Sequence, residues 1–206
     1  STEKAYATTT NPVWDMGAFW WLDDDASGLN VEDNTGFGAG NTAEDTHITN
    51  VSKTTVVRLR VDISETANQN QGINITPQLE YSTSDNTCTA AVTWTTMTTS
   101  TTAFLLYNST TITDGDQVGT NRITDTGGSV FQVDAGELLA QTNPGAAYLL
   151  DNKSGEWEWA FQVTSNAVAS QAYTFRVTDN GTALNAYNLD VGANDSRVRL
   201  QLDGVR

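Results

Sequence analysis

A period of two runs through this sequence and sets what the chain can fold into. In VVRLRVDI (56–63), Val57, Leu59, Val61 and Ile63 share one parity, and Arg58, Arg60 and Asp62 the other. In EWEWAFQV (156–163), Trp157, Trp159, Phe161 and Val163 alternate with Glu156, Glu158, Ala160 and Gln162. Successive side chains of a strand point to opposite faces, so each run predicts a strand with one apolar and one polar face. The same period recurs in INITPQLEY (73–81), AVTWTTM (91–97), YTFRV (173–177), YNLDV (187–191) and RVRLQL (197–202), and GAFWWL (17–22) is expected to be an early strand. Shorter candidates are AFLLY (103–107), SVFQV (129–133) and AAYLL (146–150). Pro77 falls inside one run and marks an edge strand or a bulge there.

Turn chemistry separates the runs: DNTG (33–36), TDGD (113–116), DTGG (125–128), NPG (143–145) and DNG (179–181). Only AGELLAQ (135–141) suggests a helical turn. Many short strands with Gly, Asn and Asp turns predict an all-β chain. The expected architecture is a single antiparallel β-sandwich, immunoglobulin-like or jelly-roll-like, over residues 17–206, with an extended N-terminal arm over 1–16. The first ten residues, STEKAYATTT, are polar and Thr-rich and show no core pattern. A segment of this kind packs on its own domain or adds a strand to the sheet edge of a neighbouring subunit.

The aromatic residues raise the choice between ligand platform and core. Trp157 and Trp159 share their parity with Phe161 and Val163. A sugar platform stays open to water and rarely continues into Phe and Val, so this row is expected to face inward. Trp20 and Trp21 are adjacent and must point to opposite faces, so at least one is expected to leave the first sheet's core. Tyr6, Val13, Trp14, Trp20 and Trp21 are the candidate subunit contacts. An exposed Trp20 or Trp21 would equally serve a carbohydrate-binding or adhesin module.

Charge narrows the partners. The net charge is −15, with 10 Lys and Arg in 206 residues. Long-range repulsion therefore opposes binding to a nucleic-acid backbone or an anionic lipid surface. No run of about 18 apolar residues exists to cross a membrane as a helix. Cys88 is the single cysteine, so no disulfide forms within the chain. The chain begins at Ser1, which fits either a removed leader or a trimmed initiator Met.

Candidate chemical sites are sparse. Asp23, Asp24 and Asp25 are consecutive, and Asp114 and Asp116 flank a glycine; both sets offer oxygen ligands for calcium, though neither matches an EF-hand loop. A solvated acidic turn is the simpler account of each, and no other cofactor is expected. His47 is the only histidine, and no GxSxG elbow accompanies it. Glu156 and Glu158 lie about 6.5–7 Å apart along a strand. Glycosidase carboxyls normally flank a cleft from different elements, so a solvated face is expected for this pair. Neither a GxxxxGK[ST] loop nor a GxGxxG fingerprint occurs. N-x-[ST] sequons stand at Asn50, Asn74, Asn108, Asn152, Asn180 and Asn194, in a chain rich enough in Asn, Ser and Thr to produce the motif by chance.

Several phrases carry a resemblance: GAFWWLDDDAS, NTAEDTHITNVSKTTVVRLRVDI, ITPQLEYSTSD, ITDGDQVGT, EWEWAFQV and AYTFRVTDNGTALNAY, in that order over residues 17–190. The chain resembles a loosely defined group of β-sandwich domains found in large secreted surface proteins and in phage-like gene sets of environmental microbes. The resemblance implies a structural or adhesive module and brings no catalytic residues. Some of that group carry further cysteines near the strands matching 81–94 and 156–163, which this chain lacks. The expectation is a non-enzymatic subunit of a self-assembling extracellular filament, surface layer or virion exterior, with copies of itself as partners. A glycan-binding module is the alternative.

Overall fold

The computed structural model describes residues 11–24, 36–38, 42–67, 72–83, 87–100, 102–124, 129–187 and 198–204. It is all-β, with no helix among these residues. The strands in chain order are β1 (Trp14–Asp23), β2 (Ile48–Val51), β3 (Val56–Glu65), β4 (Ile73–Ile75), β5 (Pro77–Ser82), β6 (Thr95–Thr96), β7 (Phe104–Leu106) and β8 (Val130–Phe131). They continue with β9 (Leu138–Leu139), β10 (Ala147–Leu149), β11 (Lys153–Val163), β12 (Ala172–Asp179), β13 (Thr182–Ala183), β14 (Ala186–Tyr187) and β15 (Val198–Leu202). Three sheets result. One runs β14-β1-β3-β11-β7, with β8 and β9 also on β11; a second runs β2-β15-β12-β5-β6, with β13 on β12; β10 and β4 form the third.

The two large sheets share one core. Across the first sheet, Trp21, Leu59 and Trp159 form a row, as do Phe19, Val61 and Trp157. The second sheet answers with Leu79, Tyr81, Tyr173, Phe175 and Val177. Aromatic rings interlock edge to face: Trp21 on Phe175 at 5.4 Å and Phe104 on Tyr173 at 4.8 Å between centroids. Such geometry adds to the stabilisation from burial alone. The row Trp157, Trp159, Phe161, Val163 therefore faces inward, fully buried.

The opposite face of the first sheet is buried too. Arg58, Arg60, Asp62, Glu156 and Glu158 each have 0% exposure, where the sequence alone predicted a solvated face for the glutamates. The cause is a covering layer drawn from the long excursion between β7 and β11. A small apolar cluster of Ile112, Val118, Leu138 and Ala140 seats on Ala160 of β11. Gly136 permits the closest approach, since a Cβ there would lie 1.6 Å from the Glu156 carbonyl oxygen.

Other differences have local causes. The run 73–81 is two strands: Thr76 breaks it, its amide donating to Asp179 Oδ1 while its carbonyl accepts from the Asn180 amide. Pro77 then opens β5 opposite Asp179, a position that tolerates its missing N–H. Residues 135–141 form β9 and its flanking turns, not a helical turn, because Leu138 and Leu139 pair with Glu158 and Trp159. The DNG turn matches its prediction: Asn180 and Gly181 both have positive φ, 46° and 84°, between paired Asp179 and Thr182. β1 begins at Trp14, inside the stretch assigned to the arm from sequence.

Gly136→Ala should lower the denaturant midpoint by a loss of about 1–3 kcal/mol or more, because the clash is with backbone. Gly145→Ala, where a Cβ meets nothing within 4 Å, should leave the midpoint nearly unchanged.

Candidate functional site

The densest polar chemistry lies between β3, β11 and the covering layer. Register places Glu158 opposite Arg60 and Glu156 opposite Asp62. Arg60 reaches both glutamates, with Nε 2.5 Å from Glu156 Oε2 and Nη1 3.1 Å from Glu158 Oε2. Arg58 Nη1 lies 3.1 Å from Glu158 Oε1. The cover closes the lattice: Arg60 Nη2 donates to the Thr120 carbonyl, and the Arg122 and Ile123 amides donate to Glu156 Oε1 at 2.8 and 3.0 Å. Burial pushes the Glu156 carboxyl above its ordinary value of 4.5, and Arg60 and those two amides oppose the rise without cancelling it. With every glutamate oxygen turned toward an arginine or an amide of the cover, the arrangement fastens that layer to the sheet.

The aspartates proposed for calcium act as caps. Asp23 Oδ2 accepts from the Gly38 amide at 2.9 Å. Asp24 Oδ1 accepts from the Ser109 and Thr111 hydroxyls at 2.6 and 2.5 Å and lies 3.8 Å from Arg58 Nε. Asp114 Oδ1 gathers the amides of Ala140 and Gln141 at 2.7 and 2.9 Å, and its Oδ2 takes the Thr142 hydroxyl. Burial works against the Asp114 charge, but these bonds outweigh it and hold its pKa below the usual aspartate range. Neighbouring Glu137 is pushed up, first by burial and then by the Asp114 charge. Asp116 is half-buried in the same turn, its carbonyl accepting from the Leu138 amide. No group of three or more His, Cys, Asp or Glu residues is placed to hold a metal among the described residues. Asp25 lies outside them.

The tryptophans proposed as contacts separate. Trp14 and Trp21, 3% and 0% exposed, pack into this chain's own core, because their parity on β1 matches that of Met16 and Phe19 across a bulge. Trp20 takes the other face and is half-buried, its Nε1 donating to the Thr42 carbonyl at 2.7 Å. Val13 is 37% exposed, and Tyr6 lies outside the described residues. Trp94, which the sequence placed in a strand, instead stacks its ring under Arg176 at 4.2 Å.

The sequon asparagines 50, 74, 108, 152 and 180 are all exposed, and Asn194 lies outside the described residues. Exposure alone does not single them out, since Asn121, Asn166 and Asn185 are exposed without a sequon.

Sequence reasoning missed one feature. Val130, Val133, Tyr148 and Leu150, at 57%, 59%, 53% and 45%, are four of the seven exposed large apolar side chains among the described residues. They lie on adjacent segments, because the Gln132 side chain bridges the β8 and β10 regions, donating to the Tyr148 carbonyl and accepting from the Leu150 amide at 2.9 and 2.8 Å. The parity of AAYLL held a signal, since Tyr148 and Leu150 alternate with the buried Ala147 and Leu149.

Comparisons with protein-family models, curated proteins and solved structures found no match for this chain.

Glu158→Ala should cost about 3–5 kcal/mol, because it leaves Arg58 and Arg60 short of compensation in a buried site. Urea unfolding would measure it. Glu156→Gln addresses the raised carboxyl. A raised folded pKa adds stability below the unfolded value, and that contribution is lost as pH rises from about 4.5 through the folded value. The variant should therefore show a flatter decline of stability over that window than the wild type.

Proposed function

We propose that this chain is a non-enzymatic structural subunit of a self-assembling extracellular filament or surface layer, or of a virion exterior. In this reading the two large sheets act as one β-sandwich, and copies of the chain are its partners. The observation that carries it is the contrast between interior and surface. Ionic and aromatic side chains are committed to internal fastening, with the Arg–Glu lattice sealed from water. What the described surface offers instead is exposed apolar side chains on two adjacent segments, Val130 and Val133 beside Tyr148 and Leu150. Clustered exposed apolar side chains mark contact surfaces, whereas scattered ones are ordinary. Of the two adjacent tryptophans, a carbohydrate-binding module could use Trp20 but not Trp21, which has no exposed surface.

Sedimentation and electron microscopy of the full chain, against a chain lacking residues 1–10, test the reading. The full chain should form oligomers or ordered assemblies, more strongly as salt screens its net charge of −15. The shortened chain retains Trp14 and the core, so it should stay folded and lose assembly. A full chain that remains monomeric at all salt concentrations overturns the proposal.

A further inference from the structure

The patch and the point where the chain enters its first strand lie at one pole of the molecule. Trp14 at the start of β1 pairs with Glu65, Ser64 pairs with Ser154, and Ser154 pairs with Phe131. Three inter-strand steps of about 4.8 Å separate β1 from β8, roughly 15 Å in all. β10 joins the same pole, because the Lys153 amide at the start of β11 donates to the Leu150 carbonyl. Residues 1–10 precede the described part of this end of the chain. Extended, ten residues span about 33–36 Å, enough to cross the patch of a copy that meets this one pole to pole.

The patch also has an edge that can take a strand. β10 pairs with β4 on one side. On the other, the Tyr148 carbonyl and the Leu150 amide are met by one side chain, the Gln132 amide, which occupies the place of a strand. An incoming extended segment offers the same donor and acceptor from its backbone and lays its side chains beside Val130, Val133, Tyr148 and Leu150. In the sequence STEKAYATTT, Tyr6, Thr8 and Thr10 share one parity and Ala5, Ala7 and Thr9 the other, and Tyr6 is its one large apolar side chain.

We infer that residues 1–10 of a second copy add to the outer edge of β10, displacing the Gln132 side chain and placing Tyr6 against Tyr148 and Leu150. This rests on the self-association proposed above and names its site. It also fixes a symmetry. Because the outgoing segment and its acceptor share one pole, two copies exchange segments reciprocally, and the contact closes on itself as a two-fold pair. An open fibre built by this contact alone would need donor and acceptor at opposite poles. The pair is then the repeating unit, and any larger assembly uses a further surface.

The test mixes two single variants, Tyr6→Cys and Leu150→Cys, with a short bismaleimide. Cys88 is fully buried and does not compete. Only contact between chains joins the two variants. The expected result is a band at about twice the 22.2 kDa chain mass, lost when excess synthetic 1–10 peptide is added. Tyr6→Cys mixed with Val168→Cys is the control, since Val168 is 60% exposed in the turn that follows the far end of β11. Sedimentation of the full and shortened chains is run alongside. If the full chain associates through residues 1–10 but no Tyr6–Leu150 adduct forms, the β10 site is wrong and self-association stands. If the full chain is monomeric, both fail. An adduct formed within one doubly substituted monomer also overturns the inference, because the segment then docks on its own chain.

Discussion

The antiparallel pairing of β3 with β11 is the contact on which the rest depends. It runs from Ser154 against Ser64 to Gln162 against Val56. Both faces of this ribbon are buried, one in aromatic core and the other in an Arg–Glu lattice. A slip of one residue would send Trp157 and Trp159 into the lattice and Glu156 and Glu158 into the core. Register is strongly specified wherever one face is buried, and here each face specifies it separately. The ionic face adds direction as well as polarity. Arg60 meets two carboxylates and a carbonyl at once, which its planar fork satisfies and a compact ammonium would not.

The second sheet repeats the device on a smaller scale. Arg176 and Glu80 pair on the outer face of β12 and β5, with Nε and Nη2 each 2.9 Å from Glu80 Oε2. Arg176 also donates to the Cys88 carbonyl and lies over the Trp94 ring, so the loop between β5 and β6 is fastened by the same residue. In both sheets an arginine whose neighbours on the other face are core residues holds a loop against the outside. Arg60 and Arg176 each have all three guanidinium nitrogens engaged by carboxylates or carbonyls. That engagement ties loop position to strand register without a disulfide, and the buried Cys88 thiol instead donates to the Phe175 carbonyl.

The strands were legible in the sequence because alternation reports parity directly. Val57, Leu59, Val61 and Ile63 against Trp157, Trp159 and Phe161 give the core face without any structure. What covers the polar face was not legible, since alternation identifies side chains and says nothing of what lies over them. The cover is built from two-residue strands, β8 and β9, that pair in parallel with β11 and carry no period of their own. A signal did exist: two arginines spaced by two on one strand and two glutamates spaced by two on another are complementary only if the strands are neighbours. The aspartates are a related case. Asp24 and Asp114 look like cation ligands in sequence, but their oxygens are filled by hydroxyls and amides from segments 85 to 87 and 26 to 28 residues away.

Association of such a chain cannot rest on charge. At a net −15, two copies repel once they come within about a Debye length, 8–10 Å at moderate salt. A contact that forms under those terms has to gain its free energy at short range, from apolar burial and backbone hydrogen bonds, both weakly sensitive to salt. The pole bearing Val130, Val133, Tyr148 and Leu150 offers both in one place: exposed apolar side chains beside a strand edge held by a side-chain amide. The Gln132 amide is significant in two ways. It satisfies the edge of the isolated chain, which limits unspecific edge-to-edge pairing. Under the proposed docking, binding is an exchange of hydrogen bonds there, so the net gain rests on apolar contact, chiefly that of Tyr6. In that proposal selectivity lies in the side chains the segment carries, against an acidic surface that disfavours close encounters in general.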